Sequence, residues 1–217
     1  MSESAAYCMD CMEAMRKMPD KCIDLTVTSP PYDNLRDYHG HTFDWRETIA
    51  QLYRVTKDGG VVVWIVSDQT VDGSETGTSF RQALFAMECG FNLHDTMIWE
   101  KDAFAFPDNN RYHPVFEYMF IWSKGYPKTA NMIADRKNKY AGTKIHGTSR
   151  QADGTMKPKN GIGKRSVPEY GKRYNVWRMS SEKNNKTGHP AVFPVRLARD
   201  HILSWSYDGD VVMDTFI

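Results

Sequence analysis

The chain has 217 residues, of which 41% are hydrophobic and 25% charged, with a formal net charge of +1 at pH 7 and four cysteines. That length supports one α/β domain, or one domain with an insertion, whose core needs no disulfide framework. Neither an apolar run of about 18 residues nor a signal-peptide pattern is present, which excludes membrane, secreted and fibrous classes and predicts a protein of the reducing cytosol.

The first predicted elements are a helix and a short buried strand. Apolar side chains recur at helical spacing after Asp10 and Glu13, which form a D-x-x-E start signal with Asp10 as the helix cap. The β-branched run 23–28 predicts a buried strand. The tetrapeptide Ser29-Pro30-Pro31-Tyr32 follows it and must lie at the carboxyl end, because two prolines cannot continue a central strand.

The remaining elements alternate between helix and strand, which predicts a doubly wound, mostly parallel sheet. Two helices are assigned by their apolar spacing, one with a face of Phe80, Leu84, Met87 and Phe91, the other with a face of Val195, Ala198, Ile202 and Trp205. The full set is helices near 45–56, 80–91 and 194–205, strands at 61–66, 96–100, 117–123, 175–177 and 210–214, and a turn at Asp58-Gly59-Gly60.

Periodicity vanishes between residues 125 and 174, which predicts a basic, loop-rich insertion. The segment from Gly125 to Ser180 holds 13 Lys and Arg against 3 Asp and Glu, whereas the other residues hold 15 basic and 24 acidic side chains. A basic block of this kind favours a polyanion, most often nucleic acid. A solvated basic loop is the alternative interpretation.

The tetrapeptide that follows the first strand carries the chemistry. In open α/β sheets, ligands bind beyond the carboxyl ends of the strands. There the Ser29 hydroxyl and the Pro30 carbonyl can accept both N–H bonds of an exocyclic amine, and Tyr32 can stack on a base taken out of its helix. The alternative is a proline-rich end to the strand, with Tyr32 as a core side chain.

These motifs resemble the DNA amino-methyltransferases that use S-adenosylmethionine. Their signature is [S/N/D]-P-P-[Y/F/W] at a strand end, and further blocks of this chain look like theirs in the permuted order that places the catalytic motif first. The resembling blocks are Asp10-Cys11-Met12-Glu13, Arg54–Gly60, Phe116-Glu117-Tyr118, Ser123-Lys124-Gly125, His189-Pro190-Ala191 with Phe193-Pro194, and the strand from Asp208 to Phe216.

The resemblance implies a circularly permuted, Rossmann-like methyltransferase fold and direct methyl transfer to a base amine of double-stranded DNA. Ser29, rather than Asp or Asn, favours N4 of cytosine over N6 of adenine. Residues 1–124 would form the catalytic part, 125–174 a target-recognition insertion and 175–217 the start of the cofactor-binding part. The resemblance also makes a homodimer plausible and implies a prokaryotic or phage-encoded protein. It implies neither a metal nor a covalent intermediate.

The resemblance also assigns binding residues. Asp10, His189, Phe193, Asp214 and Phe216 would line the S-adenosylmethionine site, although helix capping alone would explain Asp10, and His189 can equally be a capping or core residue. The candidate DNA contacts are Arg36, for which an exposed surface arginine is an equal alternative, and Lys157, Lys159, Lys164 and Arg165.

Two features depart from the family pattern. Asp214-Thr215-Phe216 replaces D-P-F, and the glycine-rich cofactor loop that follows it in the family does not come before Ile217. We therefore expect the chain to be part of a longer enzyme. Separately, we expect the two cysteines of the C-x-x-C spacing near the N-terminus to be buried thiols rather than metal ligands. A DNA-binding remnant without activity is the main competing function, and a methyltransferase for RNA or a protein amide is a weaker one.

Overall fold

The computed structural model describes residues 4–33, 43–103, 109–181 and 192–216. The chain divides into two compact units, one of Met1–Asn131 with Asn175–Ile217 and one of Met132–Tyr174. The second unit therefore begins seven residues after the predicted start of the insertion. No helix in the described ranges is both long and apolar enough to cross a membrane.

The elements follow the predicted order. Asp10 caps the first helix, since one carboxylate oxygen accepts hydrogen bonds from the backbone N–H groups of Met12 and Glu13. The helices are α1 (Cys11–Lys17), α2 (Trp45–Val55), α3 (Thr78–Glu88) and α4 (Val195–Trp205). The strands are β1 (Ile23–Thr28), β2 (Thr56–Val66), β3 (Thr70–Val71), β4 (Ser74–Glu75), β5 (Asn92–Glu100), β6 (Phe116–Ser123), β7 (Arg136–Lys137), β8 (Thr148–Arg150), β9 (Met156–Pro158), β10 (Tyr170–Gly171), β11 (Val176–Arg178) and β12 (Val212–Met213).

Among the described residues, six strands form the main sheet in the order β11-β5-β6-β2-β1-β12. All neighbouring strands are parallel except at β6, which runs antiparallel to both β2 and β5. Every residue of β1 is buried, as expected for a central strand that is covered on both faces. The predicted doubly wound, mostly parallel α/β fold is thus confirmed.

Alternate side chains of the central strands feed two apolar clusters. One cluster contains Leu25, Val63 and Trp99 with Leu197 of α4, and the other contains Trp64 and Trp122 with residues of α1, α2 and α3. Because side chains alternate along a strand, the two clusters lie on opposite faces of the sheet. The site described below is built mainly on the second cluster.

The face predicted for α3 is wrong. Phe80, Leu84 and Met87 are 48%, 60% and 46% exposed, while the opposite side of the helix buries Ser79, Gln82, Ala83 and Ala86. The buried Gln82 accepts a hydrogen bond of 2.8 Å from the indole N–H of Trp64, so its polar side chain is satisfied inside the core. Small side chains on the buried side let the helix approach the sheet closely. The prediction considered only the large apolar side chains and therefore chose the wrong face.

Other predicted details also differ from the structure. The predicted turn at Asp58-Gly59-Gly60 lies within β2, where it forms an irregularity in the pairing with β1, and Gly59 has a φ of +80°. Val195 is exposed rather than part of the buried face of α4. The last strand is short, with only Val212–Met213 in the ladder.

The unit Met132–Tyr174 contains more regular structure than the predicted loops. Short antiparallel pairs join β7 to β10 and β8 to β9, with a bridge from Lys144 to Ser166 between them. Nested backbone hydrogen bonds from Arg173–Ile133 to Gln151–Thr155 make it one long, irregular hairpin. We call this unit the ribbon.

Asp24 joins β1 to the segment that leads into β12. Its side chain is 7% exposed, and it accepts hydrogen bonds from the Lys57 ammonium at 2.5 Å and from the Val211 N–H at 3.0 Å. Burial alone would raise the pKa of Asp24, but these hydrogen bonds and the charges of Lys57 and Lys128 outweigh it and lower the pKa below its usual value of 3.8.

Acid should therefore weaken the fold through Asp24. Because the folded-state pKa is depressed, the stabilisation is complete above about pH 5 and is lost as the pH falls through the folded value. Asp24→Asn should lower the free energy of unfolding at pH 7 by about 1–3 kcal/mol, and the difference should narrow at pH 3. Thermal melts test this, with Asp58→Asn, which removes an exposed partner of Lys21, as the control expected to change little. If the loss of unfolding free energy in Asp24→Asn stayed constant down to pH 3, the proposed dependence of stability on the ionisation of Asp24 would be contradicted.

Candidate active site

The carboxyl ends of β1 and β12 meet through the side chain of Thr28. Its hydroxyl donates a 2.6 Å hydrogen bond to Oδ1 of Asp214 and lies 3.0 Å from the hydroxyl of Thr215. Asp214 Oδ1 also accepts from the backbone N–H of Phe216 at 3.1 Å. The last residue of β1 therefore fixes the carboxylate that follows β12, and two predicted parts of the site share one edge of the sheet.

Ser29 opens a chain of hydrogen bonds that runs through the predicted motif. Its hydroxyl lies 2.8 Å from that of Tyr32, and the Tyr32 hydroxyl donates a 2.7 Å hydrogen bond to Oε2 of Glu117. The other oxygen of Glu117 accepts from the Lys101 ammonium at 2.9 Å. The side chain of Glu117 is 13% exposed and that of Lys101 24%, so the ion pair is partly withdrawn from solvent.

Several aromatic side chains lie near the hydrogen-bonded series from Ser29 to Lys101. Tyr32, Phe43 and Phe216 pack against the cluster that contains Trp64. The Phe43 and Phe216 rings meet edge to face at 5.2 Å, and Phe43 also stacks on Trp64 at 6.5 Å. Such a group offers ring faces and edges to a flat, aromatic ligand. Tyr32 thus packs against the core cluster, and its base-stacking role stays a prediction.

A second network follows the motif. Asp33, in the left-handed region with a φ of +44°, accepts hydrogen bonds from the Thr76 hydroxyl at 2.6 Å and the Gln69 N–H at 3.3 Å. Asp68, just beyond β2, accepts from the hydroxyl and the N–H of Ser79 at the start of α3. These bonds tie the segment after Tyr32 to the end of the neighbouring strand.

The residues around Asp214 fit an adenosyl cofactor with a cationic end. The second oxygen of this half-buried carboxylate accepts no hydrogen bond from the described part of the chain, so it can take an ammonium or hydroxyl donor. The Phe216 ring, held against Phe43, supplies an apolar surface for an adenine. Asp10 is occupied as the cap of α1, while its neighbour Met12 packs in the same cluster as Phe216.

Other predicted site residues lie elsewhere. Phe193 packs with the cluster on the α4 face, whereas Phe216 belongs to the cluster on the opposite face, so the structure does not bring these two together. Arg36 and His189 lie outside the described residues. The basic side chains predicted to contact DNA are exposed in the ribbon: Lys157, Lys159, Lys164 and Arg165.

Comparisons with known proteins decide the family. A model of N6- and N4-methyltransferases, described as a DNA methylase, matches residues 23–217. The chain belongs to this family. The orphan methyltransferase M.BamHII of Bacillus amyloliquefaciens is 56% identical over 206 residues, which cover 91% of this chain and 77% of that protein.

Two further proteins that are similar to this DNA methylase are named for different target bases. The DNA adenine methyltransferase YhdJ of Escherichia coli (strain K12) is 23% identical and is matched over 95% of this chain and 69% of its own length. The solved structure of PvuII DNA methyltransferase, described as cytosine-N4-specific, matches with a TM-score of 0.63 at 18% identity. The match covers 96% of this chain and 72% of the PvuII chain. The predicted methyltransferase family and fold are confirmed.

Sequence reasoning gave no role to two carboxylates of the candidate site. Glu117 stands at the entry of an otherwise apolar strand, and Asp68 follows a buried strand directly. Both are carboxylates at the edge of the sheet where β1 also ends. The signal that could have identified them is their position at the ends of strands that lie close to β1 in the sheet. That position can be recognised only when the order of the strands in the sheet is known.

Proposed function

We propose that this DNA methylase transfers a methyl group to N4 of cytosine in double-stranded DNA, with S-adenosylmethionine as the donor. The observation that carries the proposal is the junction at Thr28, which holds the serine motif and the Asp214 carboxylate side by side. S-adenosylmethionine supplies an activated methyl group when it is bound. The residues of the chain bind, orient and desolvate the two reactants.

Ser29 and Pro30 act on the amine. The lone pair of an exocyclic amine is delocalised into its base, so the nitrogen is a poor nucleophile. Acceptors that hold both N–H bonds out of the ring plane favour a pyramidal nitrogen whose lone pair can attack. In this proposal the Ser29 hydroxyl and the Pro30 carbonyl are those acceptors, and the Tyr32 ring stacks on the base after it leaves the duplex.

Asp214 and Phe216 form the cofactor side. The carboxylate binds the ammonium of the donor, and the aromatic ring packs on its adenine. Because Thr28 couples Asp214 to the strand that carries Ser29, the two binding sites keep a fixed spacing. In-line attack depends on such a spacing, since misplacement by about 1 Å can cost roughly 100-fold in rate.

The ribbon supplies the contacts with duplex DNA. It carries eleven Lys and Arg and three Asp and Glu. Lys157, Lys159, Lys164 and Arg165 are exposed, and none of them forms an ion pair with a described residue. The Arg165 side chain packs on Gly161, where a Cβ would lie 2.5 Å from its Cδ. A two-stranded ribbon of this kind fits the major groove, where its cations neutralise phosphates.

The alternative target is N6 of adenine. It is favoured by the match to YhdJ, an adenine methyltransferase, while Ser29 in place of Asp or Asn favours cytosine. Both bases present an exocyclic N–H₂ group, so the acceptors at Ser29 and Pro30 would serve either reaction.

A homodimer also remains a prediction, which sedimentation velocity of the purified chain would test.

Nucleoside mass spectrometry tests the proposed reaction. Whole-genome-amplified DNA carries no methyl marks and offers nearly every short recognition sequence. Incubation with the chain and S-adenosylmethionine should yield N4-methylcytosine. N6-methyladenine instead would keep the family reaction and refute the choice of base. RNA and protein acceptors serve as controls, and product in neither DNA, RNA nor protein would favour a DNA-binding remnant.

A further inference from the structure

We propose that Glu117 is a positioning residue that sets the direction of the Ser29 hydroxyl proton, acting through Tyr32. The inference rests on the proposed function, because it concerns how Ser29 accepts a hydrogen bond from the amine. Glu117 itself does not touch the substrate in this account. Its carboxylate lies two hydrogen bonds away from Ser29.

The direction follows from counting protons. An ionised carboxylate can only accept hydrogen bonds, so the Tyr32 hydroxyl must donate its single proton to Glu117. Tyr32 then has no proton left for Ser29, and the 2.8 Å contact between their hydroxyls has Ser29 as the donor. With its proton committed to Tyr32, Ser29 Oγ presents only lone pairs in other directions. It is thus fixed as an acceptor, the role that an amine N–H requires.

Lys101 fixes the orientation of the Glu117 carboxylate, at the other end of the hydrogen-bonded series. Its ammonium only donates, and it lies 2.9 Å from the second oxygen of Glu117. The residue pairing Trp99↔Glu117 between β5 and β6 places the two partners across one ladder. Because Glu117 accepts from both Lys101 and Tyr32, the contacts among these four described residues give the proton order Ser29 to Tyr32 to Glu117.

A nearly isosteric change would reverse this order. In Glu117→Gln, Lys101 retains the amide oxygen, because it cannot accept from the amide NH₂. The NH₂ then faces Tyr32 and donates to its hydroxyl, and the Tyr32 proton turns toward Ser29. One lone pair of Ser29 is then occupied, and its own proton points into the site. Tyr32→Phe removes the link altogether and frees the same proton.

The experiment measures steady-state methylation of whole-genome-amplified DNA by the unchanged chain, Glu117→Gln, Tyr32→Phe and the double variant. Glu117→Gln should lower kcat by about 10- to 100-fold, the effect of one charge-assisted hydrogen bond, and leave the KM for DNA unchanged. Because Glu117 acts through Tyr32, it should cause no further loss in the Tyr32→Phe background. Lys101→Arg, which keeps a cation beside Glu117, should retain activity.

The control is Glu100→Gln on the neighbouring strand, which removes the charge of a glutamate that pairs with Arg178. It should leave kcat unchanged. Independent, multiplicative effects of Glu117→Gln and Tyr32→Phe on kcat, or an unchanged kcat in Glu117→Gln, would overturn the inference. If even the unchanged chain forms no methylated nucleoside, the proposed function fails instead. A thermal-denaturation cycle on the same four proteins then decides the Tyr32–Glu117 coupling, since additive losses in Tm would refute it.

Discussion

Ser29→Ala should slow methyl transfer by about 10²- to 10³-fold, the effect measured when one preorganised hydrogen-bonding group is removed from an active site. The hydroxyl is an acceptor aimed at the amine, and alanine leaves one N–H of that amine without a partner as the nitrogen becomes pyramidal. DNA affinity should change little, since Ser29 is one small contact whereas the ribbon carries eleven Lys and Arg. The measurement is single-turnover methylation beside equilibrium DNA binding.

Ser123→Ala is the matched control. This buried serine also donates a side-chain hydrogen bond, 2.8 Å long, to the carbonyl of Gly125. It ends β6, the antiparallel strand, and therefore lies at the edge of the sheet opposite to Ser29. Its loss should lower stability and spare the rate of the chemical step. Equal losses of rate and DNA affinity in Ser29→Ala would mean that the Ser29 hydroxyl only maintains the fold.

Replacing Lys157, Lys159, Lys164 and Arg165 together by alanine should flatten the salt dependence of DNA binding. Each phosphate contact contributes about 0.9 to the slope of log K against log salt, so losing up to four contacts lowers the slope by up to about 3.6. Affinity at low salt should fall by several orders of magnitude. Fluorescence anisotropy with unmethylated duplexes over a range of salt concentrations measures both quantities.

A second quadruple variant separates position from charge. Lys17, Arg81, Arg196 and Arg199 are exposed on helices of the other unit, and their replacement by alanine removes the same formal charge. This variant should keep a slope close to that of the unchanged chain. A flat slope in the control, or an unchanged slope in the ribbon variant, would move the DNA interface away from the ribbon.

Local signals predicted the elements that depend on neighbours in sequence. The cap at Asp10, the bounds of β1 and the exit of the chain at Ser29 all follow from short-range rules, because capping and proline geometry act within a few residues. The helix α3 was placed correctly and oriented wrongly. Its buried side contains Gln82, whose partner Trp64 lies on a strand, so the burial of that polar side chain depends on a contact between elements.

The candidate site was predicted as a motif and not as a network. Tyr32 was expected to stack on a base, and its hydrogen bond to Glu117 depends on β6 being inserted, antiparallel, beside β2. No periodicity reveals that strand order. The ribbon escaped prediction for a related reason, since its ladders join residues such as Lys137 and Tyr170, far apart in a segment without an apolar repeat.

The pairing of β1 with β12 has a consequence for synthesis. Leu25 pairs with Val212, so roughly 190 residues are made between the two strands, which takes on the order of ten to forty seconds at about 5–20 residues per second. During that interval the nascent chain exposes an unpaired edge of β1, a strand in which every second residue is apolar, and such an edge is a recognised template for aggregation. The Asp214 carboxylate is added at the end of that interval. The candidate cofactor site that contains Asp214 is therefore incomplete until β12 and the residues after it have been made.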